Sequence, residues 1–259
     1  MLCGLSLIHI YSGADNDVIS TTGNAKVIAG AGNDKVLTYG NSYVDAGEGD
    51  DYVRGYENLT VNAGSGNDEV RGYDHANVDA GDGDDLVVTY GHSNIKGGAG
   101  NDILIIADLS AREEQIGHSI VDGGEGDDYI QAGKNSILSG GTGNDVIRLT
   151  GSGSAVNFGK GDGHDTIMSR DDFTLQISGY NKDDVTVSVD GNNFVVTFKG
   201  SEDAVTLDIS SGAVAKLAFE DGSTMDVVAS ENPELLQKVL SKPDWGPRDR
   251  FAAYWYGAD

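Results

Sequence analysis

At 259 residues the chain has room for one large domain or two small ones, yet only 38% of it is hydrophobic and 38 residues are glycine, which argues against an ordinary compact core. Acidic residues outnumber basic ones by 42 to 17, a net charge of -25, so nucleic acid and anionic membrane are excluded as electrostatic partners and cations are the natural counterpart. The single cysteine, Cys3, excludes an internal disulfide, leaving a staple such as metal for a chain with so little core.

Residues 1–11 begin MLCGLSLIHI, without the basic n-region or small-residue cleavage site of a signal peptide. The stretch LSLIHI looks like translated sequencing-adapter sequence, so the segment is set apart as a non-native or disordered leader. No apolar run approaches the length of a membrane span.

From residue 12 one phrase keeps returning: AGAGNDKVL at 29, AGEGDDYVR at 46, AGSGNDEVR at 63. Aligned on their last acidic position, Asp17, Asp34, Asp51, Asp68, Asp85 and Asp102 recur at an unbroken period of 17, followed by Asp128, Asp145 and Asp165. Fixed short periodicity marks a solenoid, in which each repeat buries its apolar side against its neighbours. Two places after each Asp stands an aliphatic residue: Ile19, Val36, Val53, Val70, Val87, Leu104, Ile130 and Ile147. A second row runs Val27, Val44, Val61, Val78, Ile95, Val121 and Leu138. Two inward ladders facing each other predict an all-β, right-handed parallel β-solenoid, or β-roll, of 17-residue coils rising by roughly 4.8 Å each. The segment 105–122 carries nine extra residues with a helix-like LSAREEQI; it reads as a loop excursion at the edge, or alternatively as a knob for partner contact.

In each turn the second and fourth places are glycine: Gly30 and Gly32, Gly47 and Gly49, Gly64 and Gly66, Gly81 and Gly83, Gly98 and Gly100, Gly124 and Gly126, Gly141 and Gly143. Glycine permits positive φ and lets backbone carbonyls approach a ligand. Calcium takes six to eight oxygens, and carboxylates plus carbonyls from two neighbouring coils can supply them. The candidate carboxylate ligands are Asp34, Asp51, Asp68, Asp85, Asp102, Asp128 and Asp145, with Asp50, Asp84 and Asp127 supplementing the charge. Asp17 opens the row weakly, because Asp15 stands where the second turn glycine belongs, and FGKGDGHDTI ends it with an inserted pair. The competing reading is that these are solvated turn residues; a stack of unpaired carboxylates at one coil spacing would, however, repel itself.

The copies GGAGNDILI (97–105), GGEGDDYIQ (123–131) and GGTGNDVIR (140–148) resemble the G-G-x-G-x-D-x-U-x nonapeptide of the calcium-binding RTX β-roll proteins. Earlier copies replace the first Gly with Ala. That resemblance covers about residues 12–168 and implies Ca2+ as cofactor, together with export of the unfolded chain by type I secretion machinery through an uncleaved C-terminal signal. The usual roll carries the glycine-Asp turn on both edges. Here the second edge reads TYGNSYVD, GYENLTVN, GYDHANVD and TYGHSNIK, so calcium is expected along one edge only.

On that second edge Tyr39, Tyr56, Tyr73 and Tyr90 repeat at the same period, beside Asn24, Asn41, Asn58, His75 and His92. They read as structural ladders or, alternatively, as a glycan-binding strip. An ice-binding face is disfavoured, because the outward strand positions are irregular. Two histidines without a third ligand do not make a transition-metal site.

After residue 168 come FTLQISG, DVTVSVDGNNFVVTFKG, DAVTLDIS and AKLAFEDGSTMDVV, alternating strands with hairpin turns at DGNN and EDGS. This β-rich segment, 169–230, is expected to cap the last coil. ENPELLQKVL (231–240) reads as an amphipathic helix within a 231–259 tail. H-E-x-x-H, G-x-S-x-G and Cys/His pairs are absent, so the chain reads as non-catalytic. The sequence supports a secreted calcium-driven folding and stabilising module, with an adhesin or the non-catalytic region of a secreted hydrolase as alternatives.

Overall fold

The structure is a computed structural model, described over residues 7–107, 118–210 and 212–229. Every coil has two short arms. The first arms, such as Lys35–Thr38, Leu86–Tyr90 and Ile103–Ala107, stack in parallel at the predicted offset, Val36 beside Val53 and Val87 beside Leu104. The second arms, such as Ala25–Ala31, Ser42–Glu48 and Asn94–Ala99, do the same, with Val27 beside Val44 and Gly30 beside Gly47. The result is a β-solenoid of about nine turns.

Alternation makes the arms work. In Lys35–Thr38 the side chains run exposed, buried, intermediate, buried, so each arm commits one or two side chains to the interior, as a period-two strand requires. Both aliphatic ladders predicted from spacing are buried throughout. In two coils the arms join without a break across the tyrosine edge, as the strands Tyr52–Ser65 and Glu69–Asp82. The glycine-Asp edge is broken in every coil, because its turn residues leave strand geometry.

The nine-residue insertion does not disturb the register. Ile103 pairs with Tyr129, and Ile120 with Asn94. Residues 108–117, read from the sequence as a loop excursion, and the helix expected over 231–240 lie outside the described residues, as do residues 1–6.

At the N-terminal end the strand Ile8–Gly13 pairs with Ala25–Ala31, Ile8 opposite Ala25 and Gly13 opposite Gly30. Residues 8–11, set aside with the leader on sequence grounds, therefore form the second arm of the first coil. Their hydrophobic pattern suffices for that, although Tyr11 stays exposed while Ile10 packs on the core.

At the other end the parallel stacking runs past residue 168. Phe173–Ile177 pairs with Ala155–Phe158, and Val214–Phe219 then pairs with Phe173–Ile177. Ala204–Ile209 continues the first-arm stack on His164–Ser169, with Val205 in the place that Asp165 holds one coil earlier. The predicted hairpins are present as antiparallel pairs, Val185–Asp190 with Asn193–Phe198 and Val214–Phe219 with Thr224–Val228. The interior also turns aromatic here: Phe158, Tyr180 and Phe198 stack at 5.3 and 4.3 Å. Rings this size fill the end of a coil that valine cannot close.

Candidate metal-binding edge

The glycine-Asp edge is a repeated backbone device. All fourteen turn glycines named above have positive φ, from +107° at Gly141 to +147° at Gly143. Their second reason for being glycine is proximity: a Cβ at Gly47 would overlap the carbonyl of Gly30, and one at Gly64 that of Gly47. The backbones of successive turns touch.

The inner Asp row lies inside this edge, its members from Asp34 to Asp145 at most 3% exposed. One oxygen of each has a fixed task. Oδ1 of Asp51 accepts the backbone N–H of Asp34 at 2.7 Å, Oδ1 of Asp68 that of Asp51 at 2.7 Å, and Oδ1 of Asp128 that of Asp102 across the insertion, also at 2.7 Å. Each carboxylate thus holds the coil before it. The row opens with the half-buried Asp17, whose N–H donates to Asp34, and closes with Asp165, which accepts from Asp145 at 3.2 Å. The irregular last turn therefore still serves the row.

The other oxygen has no donor. Oδ2 of Asp34, Asp51, Asp68, Asp85, Asp102, Asp128 and Asp145 is buried with no hydrogen-bond partner among the described residues, an arrangement that is costly for an anion unless something else satisfies it. Cationic side chains of the described residues do not: the ion pair found among them joins Arg71 to Glu69, at 2.5 Å, on an outer face. These are the seven carboxylates that sequence spacing singled out, and their orphaned oxygens suit a hard cation. No cluster of three or more His, Cys, Asp or Glu side chains converges among the described residues. A metal here would draw its remaining oxygens from backbone carbonyls and water.

Burial, followed by repulsion from neighbouring carboxylates, pushes Asp51 and Asp145 up to about 6 and Asp68, Asp85 and Asp128 up to about 7, against the lowering effect of the backbone N–H that each accepts. Asp165, most hemmed in, is pushed up to about 8. A carboxyl whose folded pKa lies above its unfolded one contributes stability that is complete below the unfolded value, about 4, and is lost as pH rises through the folded one. In the absence of divalent metal the protein is therefore expected to melt highest near pH 4 and progressively lower up to pH 8. Thermal unfolding in chelator across that range checks this; a melting temperature that rises with pH would contradict it.

The residue before each inner Asp behaves differently. Asp50, Asp84 and Asp127, expected to supplement the site, are exposed, and their Oδ1 atoms accept the next coil's N–H from Asn67, Asn101 and Asn144 at 2.9, 2.7 and 2.7 Å. Asn33, Asn67 and Asn101 do the same for Asp50, Asp84 and Asp127. Inner row and outer row thus tie each turn in opposite directions. From Asn33 to Asn144 the outer row alternates Asn and Asp, a pattern visible in the sequence, and this halves the number of stacked like charges there.

The tyrosine edge is a continuous stack. Tyr39, Tyr56, Tyr73 and Tyr90 lie with centroids 4.9, 4.9 and 5.1 Å apart. Arg54 sits 4.8 Å from the Tyr56 ring and 4.9 Å from that of Tyr73, and donates to the Tyr73 hydroxyl at 2.6 Å. Beside them Asn58 donates to Asn41 at 2.8 Å, and His75, His92 and His118 stack at 5.5 and 5.7 Å. His118 was missed in the sequence because the insertion moves it off the 17-residue period.

No family model matches this sequence, and no curated protein matches it. Among solved structures the chain is similar to the extracellular lipase LipA from Serratia marcescens, at 19% identity and a TM-score of 0.26, over 71% of this chain and 37% of that one. The chain thus spans little more than a third of that lipase.

Proposed function

We propose that this chain is a calcium-binding RTX β-roll module that completes its coils on binding Ca2+ outside the cell and serves as a folding, secretion and stabilising region of an extracellular protein. The observation that carries this reading is the row of buried carboxylate oxygens without donors. Calcium supplies there the positive charge that the protein withholds. Asp34, Asp51, Asp68, Asp85, Asp102, Asp128 and Asp145 are the carboxylates positioned to hold it, and the positive-φ glycines bring carbonyls of adjacent turns close to them. The excess of acid over base, 42 against 17, supports a chain that stays expanded where calcium is scarce and compacts where it is plentiful. Export by type I machinery rests on the nonapeptide resemblance alone, as does the possibility of a hydrolase upstream.

The tyrosine strip supports a structural role better than a glycan site. Ring faces are what stack on sugars, and those of Tyr56 and Tyr73 are covered by their neighbours and by Arg54.

Isothermal titration of the purified chain with calcium chloride and, separately, magnesium chloride tests the proposal. The expected result is saturable calcium binding in roughly the 10⁻⁴–10⁻³ M range of extracellular modules, with magnesium far weaker because it demands a tighter octahedron. Absence of calcium binding at 10 mM would overturn it.

A further inference from the structure

Seven inner carboxylates look alike, but the space in front of them does not. The first residue of the turn is Ala29, Ala46, Ala63 or Ala80 in the N-terminal coils and Gly97, Gly123 or Gly140 in the C-terminal ones. All four alanines are fully buried, so their methyl groups fill the interior at this point. At Gly97 the missing side chain leaves room that two oxygens enter: a Cβ there would stand 2.2 Å from Oδ2 of Asp102 and 2.4 Å from the carbonyl oxygen of Gly123 in the next coil. The pattern repeats one coil on, where a Cβ at Gly123 would stand 2.2 Å from Oδ2 of Asp128 and 2.3 Å from the carbonyl of Gly140.

In each case the two oxygens are separated by no more than the sum of those distances, within the roughly 5 Å that two ligands of one calcium ion can span. Both are acceptors. The carboxylate oxygen has no donor from the described residues and is almost completely buried, so once the carboxyl is ionised the convergence is one that a cation resolves. The third glycine turn differs. A Cβ at Gly140 would meet only atoms of Asp145 among its three nearest neighbours, and the coil that follows has the irregular turn with Lys160.

We propose that calcium binding is graded along the edge: Asp102 with the Gly123 carbonyl, and Asp128 with the Gly140 carbonyl, form the two stronger sites, while the alanine methyls of the four N-terminal turns crowd the ion and weaken its hold at Asp34, Asp51, Asp68 and Asp85. The inference rests on the calcium reading above and adds which turns bind more strongly. The N-terminal coils are then held by the Asp-to-backbone ladder and the valine core, and the ions lock the half of the solenoid that carries the insertion and leads into the aromatic end.

The test counts ions on the full chain by equilibrium dialysis near pH 7.5 against calcium at the low end of the roughly 10⁻⁴–10⁻³ M range of extracellular modules. The wild type is expected to hold two calcium ions there; Gly97→Ala should lose one, and Ala80→Gly, which opens the equivalent space beside Asp85, should gain one. A wild-type count of seven equivalent ions, or a count unmoved by Ala80→Gly, overturns the grading while leaving calcium binding intact. Absence of any bound calcium up to about 10 mM overturns the functional reading itself. Because Ala80→Gly strengthens rather than removes a site, it decides the matter even where Gly97→Ala does not fold.

Discussion

Gly64→Ala is expected to unfold the middle of the solenoid, at a cost of about 3–5 kcal/mol. Gly64 has φ +116°, a region almost closed to residues with a Cβ, which alone costs of order 1–3 kcal/mol. The larger part is steric. The new methyl would overlap the carbonyl oxygen and carbon of Gly47 in the preceding coil, and backbone in a parallel ladder has no rotamer by which to move aside. Gly47 and Gly64 are paired in register, as are Gly64 and Gly81, so one turn cannot retreat without loosening bonds on both sides. Gly191→Ala is the control. It also has positive φ, +61°, but sits in the DGNN hairpin with nothing within 4 Å of the added methyl; about 1–2 kcal/mol is expected from the left-handed conformation alone. Thermal unfolding of both variants in calcium compares them, and equal destabilisation would mean that the turns are not in contact.

Asp128→Asn is expected to change stability in opposite directions with and without calcium. Asparagine keeps an oxygen to accept the Asp102 N–H, as Asp128 does at 2.7 Å, and it puts an amide donor where Oδ2 now faces the Gly140 carbonyl. Near pH 8, above the value of about 7 to which burial raises Asp128, the wild type in chelator carries a buried and unpaired charge that the variant lacks. Replacing such a charge stabilises by roughly 1–3 kcal/mol. In calcium the sign reverses. A site filled to 100 times its dissociation constant adds about 2.7 kcal/mol, and the variant forgoes it. Melting temperatures at pH 8 should therefore cross: variant above wild type in chelator, below it in 10 mM calcium. Parallel curves would show that Asp128 does not meet the ion.

Much of this was legible in the sequence because a solenoid repeats its reasons. One register of Asp and two of aliphatic residues fixed the coil length, the two arms, the broken edge and the identity of the buried carboxylates. What escaped was whatever departs from the period or depends on direction. His118 lies off the repeat by the nine inserted residues, although it stacks on His92. The last coil carries no glycine-Asp turn, so Ala204–Ile209 read as capping strand when it pairs in parallel with His164–Ser169. Residues 8–11 were discounted for their resemblance to adapter sequence, while a strand needs only their pattern. The inner Asp and the outer Asn or Asp, adjacent in every turn, differ in which neighbouring coil they bind, and spacing along one chain carries no sign for that. The alanine-to-glycine change at the first turn position was visible from the start; its meaning needed the oxygens placed around it.

The most direct test of the central claim, that calcium completes this fold, is far-UV circular dichroism during a calcium titration from chelator to about 10 mM at neutral pH, with magnesium as control. A cooperative, calcium-specific gain of β signal and of melting temperature is the predicted result. A β spectrum already complete in chelator, with a melting temperature that calcium leaves unchanged, would contradict it.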